Sequence, residues 1–93
     1  MKYSVKAGTN AETDLLEAFL WYEEIRPGLG TRFENDFREA ISQLIKNPYN
    51  FQIRYDNVRV VFLKVFPFGV HYRIIGTQVQ IASVFHTSRK PRS

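Results

Sequence analysis

The sequence predicts an α+β domain in the order strand, helix, helix, strand, strand, strand, with two antiparallel helices packed on one face of an antiparallel sheet. Three observations predict it. Apolar residues recur at spacings of three and four over residues 9–26 and again over 29–47. A short alternating run precedes them. Three Val-, Ile- and Phe-rich runs joined by turn signals follow. At 93 residues the whole chain is read as one domain, because a second core would have nothing to fill it.

In the first strand, Tyr3, Val5 and Ala7 alternate with Lys2, Ser4 and Lys6 up to Gly8. Thr9-Asn10-Ala11-Glu12 reads as a capping box that starts the first helix. Leu15, Ala18, Phe19, Tyr22 and Ile25 make its buried stripe, and Pro27-Gly28 stops it. Its carboxylates Glu12, Asp14, Glu17, Glu23 and Glu24 read as a solvated face. The second helix begins near Leu29 or at Thr31, where Thr31-x-x-Glu34 is another capping box. Phe33, Phe37, Ala40, Ile41, Leu44 and Ile45 form its stripe, and Asn47-Pro48 ends it. So short a linker forces a tight antiparallel pair. Residues 50–57 read as a loop with an extended piece inside 51–55 and a turn at Asp56-Asn57. Strands are expected over 58–66, 68–75 and 78–86, divided by Pro67 and by Gly76-Thr77. The polar, basic stretch 87–93 reads as a loose tail.

Composition narrows the function classes. With 44% hydrophobic residues, eight Phe and five Tyr, disorder is not expected. No cysteine is present, which removes disulfides and thiol chemistry and fits a reducing cytoplasm. No apolar run reads as a signal peptide or a membrane span. Residues 1–57 hold seven Lys/Arg and all nine Asp/Glu, whereas residues 58–93 hold six Lys/Arg and no acid. A purely cationic second half points to a polyanion or an acidic protein as partner. Lys64, Arg89 and Lys90 are its candidates for target or phosphate binding.

Alternation assigns faces to the later strands. In 78–86, Val79, Ile81, Ser83 and Phe85 are expected to face the helices, leaving Gln78, Gln80, Ala82, Val84 and His86 outside. In 68–75, Val70, Tyr72 and Ile74 are expected inside and His71 and Arg73 outside. Arg73, His71 and His86 would then share one bare, cationic sheet face, with Arg59 unassigned because its strand is apolar on both parities. Such a face carries the groups that RNA cleavage needs. Histidine is the side chain suited to exchanging protons at physiological pH, so His86 would serve as acid or base, and Arg73 and Arg59 would hold a phosphate. The competing readings are a strand-end histidine satisfied by backbone and an arginine in a structural ion pair. No cofactor or metal is expected. Two histidines without spaced carboxylates make no metal site, and Gly28-Leu29-Gly30 is too short to cradle a phosphate. Leu20 and Trp21 lie off the first helix's stripe, either capping the core or offering an exposed apolar contact.

Five stretches together resemble the RelE/ParE toxin superfamily over nearly the full chain. They are Ala18-Phe19-Leu20-Trp21-Tyr22-Glu23-Glu24, Pro27-Gly28-Leu29-Gly30-Thr31-Arg32-Phe33, Leu44-Ile45-Lys46-Asn47-Pro48, Phe66-Pro67-Phe68-Gly69-Val70-His71-Tyr72-Arg73-Ile74 and Val84-Phe85-His86-Thr87-Ser88-Arg89-Lys90-Pro91. The resemblance implies two helices against an antiparallel sheet. It also implies a cytoplasmic toxin wrapped and neutralised by a cognate antitoxin, with operator DNA bound only through that antitoxin. Leu20 and Trp21 become the candidate antitoxin contact. RelE-like members cut mRNA in the ribosome; ParE-like members inhibit DNA gyrase without nuclease chemistry. RelE-like members commonly carry an arginine where this chain has Gly69 and a tyrosine near the C-terminus where Thr87 follows His86. Those departures favour a ParE-like toxin. The alternatives are a RelE-like endoribonuclease using His86, Arg73 and Arg59, and a non-toxic domain that keeps only antitoxin binding.

Overall fold

A computed structural model describes residues 2–88. Its elements run β1 (Ser4–Ala7), α1 (Thr9–Ile25), α2 (Leu29–Lys46), a 3-10 turn (Pro48–Asn50), β2 (Ile53–Tyr55), β3 (Val58–Phe62), β4 (Phe68–Ile75) and β5 (Gln78–His86). The fold class is α+β, as the sequence predicts, with two differences in the sheet. The described residues form five strands in the order β1-β5-β4-β3-β2, the added one being β2. The sheet is also mixed rather than antiparallel, because β1 pairs in parallel with β5, Val5 opposite Val79 and Ala7 opposite Ile81. The two helices carry the chain to the far edge at β2, and three successive antiparallel pairings bring β5 back beside β1 in the same direction.

Both helices cover one sheet face. Ala11, Ala18, Phe33, Ala40 and Leu44 meet Val61, Phe68, Val70, Tyr72, Val79, Ile81 and Val84 in a single core. Its centre is aromatic: the ring of Phe33 stands 5.0 Å from Phe68 and 5.6 Å from Phe66, and Tyr22 lies 4.8 Å from Phe66. Burying rings edge to face adds to what their area contributes. The α1 stripe is rotated from the expected one, since Ala11, Asp14 and Ala18 are its buried residues and Ile25 is 60% exposed.

Neither capping box forms. Gly8 caps α1 and Gly28 caps α2, and no side chain of either cap residue bonds to its helix. Instead Glu23 of α1 reaches across the helical hairpin, its Oε1 accepting from Gly28 N at 2.8 Å and Gly30 N at 2.9 Å. A carboxylate there satisfies orphan amides and meets the positive end of α2. The glycines are required for this contact. Gly28 has φ +90°, and a Cβ at Gly30 would stand 2.6 Å from the Phe19 carbonyl oxygen.

Two further helix acids, far from a solvated face, hold strands. Asp14 is 6% exposed and its Oδ2 accepts from Val84 N at 2.9 Å. Asp36 is 8% exposed and accepts from Val65 N at 2.9 Å and Phe66 N at 2.8 Å, fixing the turn between β3 and β4. That turn cuts the expected 58–66 strand at Phe62. Asp56 (φ 44°) and Asn57 (φ 63°) make the tight β2–β3 turn, both in the left-handed region such hairpins use.

Candidate functional site

The predicted catalytic set is His86, Arg73 and Arg59. Directly paired residues of neighbouring strands point their side chains to the same side of a sheet, so strand register places each of them. Phe68, Val70, Tyr72 and Ile74 of β4 face the helices. Gly69, His71 and Arg73 face away.

Arg59 pairs with Tyr72, which puts it on the helix side. There it donates to the carbonyls of Phe51 at 2.6 Å and Tyr49 at 3.3 Å and lies 5.1 Å from the Tyr49 ring centroid. It fastens the 48–51 turn to the sheet. Tyr72 donates to Pro48 O in the same place, and its phenol is pushed up to about 12 by burial, against the opposing pull of the Arg59 charge.

Arg73 pairs with Gln80 on the outer face and donates from Nε to Asp56 O at 3.2 Å. It takes a turn carbonyl rather than a helix carboxylate. His86 is not beside it, which corrects the expectation of a shared face. Between His71↔Ser83 and Tyr72↔Ile81 the register shifts, leaving Ala82 as an extra residue in β5. Beyond that bulge every side chain changes face. Val84 goes into the core opposite Val70, and Phe85 turns outward opposite Gly69. His86 lies opposite Phe68 on the helix side, its ring 5.2 Å from that of Phe68 and its Nδ1 accepting from Ser88 N at 3.0 Å. Tyr72 and Phe68, the β4 partners of Arg59 and His86, are four residues apart, roughly 13 Å of strand. The structure therefore does not assemble the three residues.

His71 does lie on the outer face. Its Nδ1 is 3.0 Å from the Tyr55 hydroxyl, and its ring is 5.1 Å from Phe85. Burial holds its pKa below the usual histidine value. Lys64 is exposed in the turn held by Asp36. Arg89 and Lys90, with the rest of 89–93, lie outside the described residues.

Leu20 and Trp21 are 54% and 55% exposed, so Trp21 does not close the core. They line a groove of about 520 Å³ between α1 and the end of β5, with Glu17, Glu24, Phe68 and His86. β1 ends at Ala7, opposite Ile81, so the β5 edge beyond that point faces this groove instead of a strand. Among the described residues, no three His, Asp or Glu side chains cluster to hold a metal ion, and no helix is long and apolar enough to cross a membrane.

No family model matches the chain. It is 28% identical to Toxin ParE2 of Mycobacterium tuberculosis, over all of this chain and 90% of that protein. Among solved structures it resembles a chain of the chromosomal ParDE TA system from P. aeruginosa, with a TM-score of 0.82 at 21% identity over 94% of this chain and 98% of that one. It also resembles a chain of the intact E. coli RelBE toxin–antitoxin complex, with a TM-score of 0.70 at 14% identity over 94% and 99%.

Proposed function

We propose that the chain is a toxin of the RelE/ParE superfamily, one half of a type II toxin–antitoxin pair, and that it arrests growth by binding DNA gyrase. One observation carries the choice of target. A ribonuclease needs base, acid and phosphate-binding cation around one scissile bond. Here Arg73 is on the far side of the sheet from His86, and Arg59 is committed to two backbone carbonyls. The 28% identity to a protein named ParE2 supports the same choice. The higher TM-score to the ParDE chain than to the RelBE chain agrees with it. In this reading the cognate antitoxin occupies the Leu20–Trp21 groove, the protein acts in the cytoplasm, and no cofactor takes part.

The test pairs two assays on the purified protein. Supercoiling by gyrase should stop as the protein is added, and His86→Gln should arrest growth as wild type does. Normal supercoiling at saturating protein, together with codon-phased cuts in translated mRNA that disappear in His86→Gln, would replace this function with the RelE-like one.

A further inference from the structure

The groove beside Trp21 has the opposite sign to the chain that forms it. The chain carries a net charge of +4. Among the described residues lining the groove there are three carboxylates, Asp14, Glu17 and Glu24, and no Lys or Arg. Asp14 is buried and bonded to Val84 N, so the acids at the mouth are Glu17 and Glu24, both exposed. His86 adds no cation while its Nδ1 accepts from Ser88 N. Along α1 the order is an acid, two exposed apolar residues and an acid. Leu20 and Trp21 follow Glu17 by three and four residues, and Glu24 follows it by seven. On a helix those spacings fall along one side. The two acids are then two turns apart, roughly 10.5 Å along the axis.

We propose that the antitoxin segment filling this groove is an amphipathic helix carrying two basic residues seven apart, with apolar residues at the third and fourth places between them. The inference rests on the reading that the antitoxin lies here, and it does not depend on gyrase being the target. The spacing of the acids selects a helix. Same-side residues of a strand lie about 7 or 13 Å apart and miss that separation, whereas a second helix repeats it. Flanking charges of opposite sign beside an apolar seam are how paired helices choose partners. Lys or Arg suits the mouth further, because its hydrocarbon stem covers apolar surface while its charged end stays in water, and the Trp21 face attracts a cation. The carboxylates favour such a cation whatever other bonds they keep within the chain. An acidic segment, which the net charge alone would select, meets two carboxylates at this contact. The partner is therefore basic here whatever its charge elsewhere.

Trp21 is the chain's one tryptophan, so its emission tests the proposal on the purified full chain. The probes are two synthetic helical peptides without tryptophan. Both carry leucines at the third and fourth places between two positions seven apart, which hold lysine in one peptide and glutamate in the other. The lysine peptide should shift Trp21 emission to the blue and bind more tightly than the glutamate peptide, by a margin that shrinks as salt rises. Glu24→Gln should weaken the lysine peptide roughly 2- to 5-fold, the share of one exposed ion pair. Glu17→Lys with Glu24→Lys should reverse the preference. Circular dichroism checks the fold of each variant, and the two peptides on the wild-type chain decide if the double variant does not fold. Equal or tighter binding of the glutamate peptide, no emission shift with either peptide, or a folded double variant that keeps the wild-type preference would overturn the proposal. So would sedimentation of the chain alone as a dimer with Trp21 emission already blue, since a second copy would then fill the groove. Tighter binding of the glutamate peptide would leave the antitoxin in the groove and overturn only its charge; rescue of the Leu20→Glu, Trp21→Glu double variant by the antitoxin would remove it from the groove.

Discussion

Replacing Asp36 tests how the domain aims its β3–β4 turn, which carries Lys64 and the 69%-exposed Val65. Asp36 Oδ2 accepts two backbone N–H bonds, one of them fully buried at Phe66. In Asp36→Ala the Phe66 N–H loses its partner inside the protein, at about 1–3 kcal/mol. The partly buried Val65 N–H recovers water and costs about 1 kcal/mol. The expected loss is about 2–4 kcal/mol. Against a total stability of roughly 5–14 kcal/mol for a chain this long, that is a large share. At about 4–8 °C per kcal/mol the midpoint falls by about 8 °C or more. Asp36→Asn keeps an acceptor at the same place and loses only the strengthening that charge gives, about 1 kcal/mol. Urea unfolding followed by circular dichroism measures both. An alanine variant within 0.5 kcal/mol of wild type, or an asparagine variant as damaged as alanine, would show that the two amides do not depend on this carboxylate.

Other consequences follow from burial and exposure. Tyr72→Phe leaves the Pro48 carbonyl without its buried donor and should cost about 1–2 kcal/mol, read by the same urea titration. Because the folded Tyr72 phenol sits near 12, above the unfolded value of about 10, its contribution is intact below pH 10 and drains away as pH rises through 12. The difference in stability between wild type and Tyr72→Phe should therefore shrink over that interval; a constant difference would contradict the raised pKa. Leu20→Glu with Trp21→Glu should leave growth arrest intact but abolish rescue by the co-expressed antitoxin. Full rescue of the double variant would place the antitoxin elsewhere.

Helices were legible in the sequence and side-chain directions beyond residue 82 were not. Periodicity of three and four locates α1 and α2 almost to the residue because both bury a stripe against one surface. β2 leaves no such trace, since Ile53, Arg54 and Tyr55 are all exposed on an edge strand. The bulge at Ala82 is set by pairing with β4, and period-two reading of β5 alone passes over it. The buried acids did leave a signal. Asp14 lies three residues after Ala11 and four before Ala18, and Asp36 lies three after Phe33 and four before Ala40. An acid at the centre of an apolar stripe in both helices marks a carboxylate with a backbone partner, because burial without one is too costly.

These two features, the acid in the stripe and the flipped strand end, meet at one atom. β1 stops at Ala7, opposite Ile81, so among the described residues no strand pairs with β5 on that side beyond that point, and its amides must find other acceptors. Asp14 supplies one, taking Val84 N two residues past the bulge. A carboxylate on a helix thus does there what another strand would do. It fixes the segment in the orientation that sends Val84 inward, Phe85 outward and His86 against Phe68. A residue type in a motif therefore does not by itself fix which face the side chain serves. The same Val84-Phe85-His86 stretch on an unbulged strand would turn His86 to the face that carries Arg73. With the bulge, Phe85 takes the outer face instead, and His86 lines the groove beside Trp21.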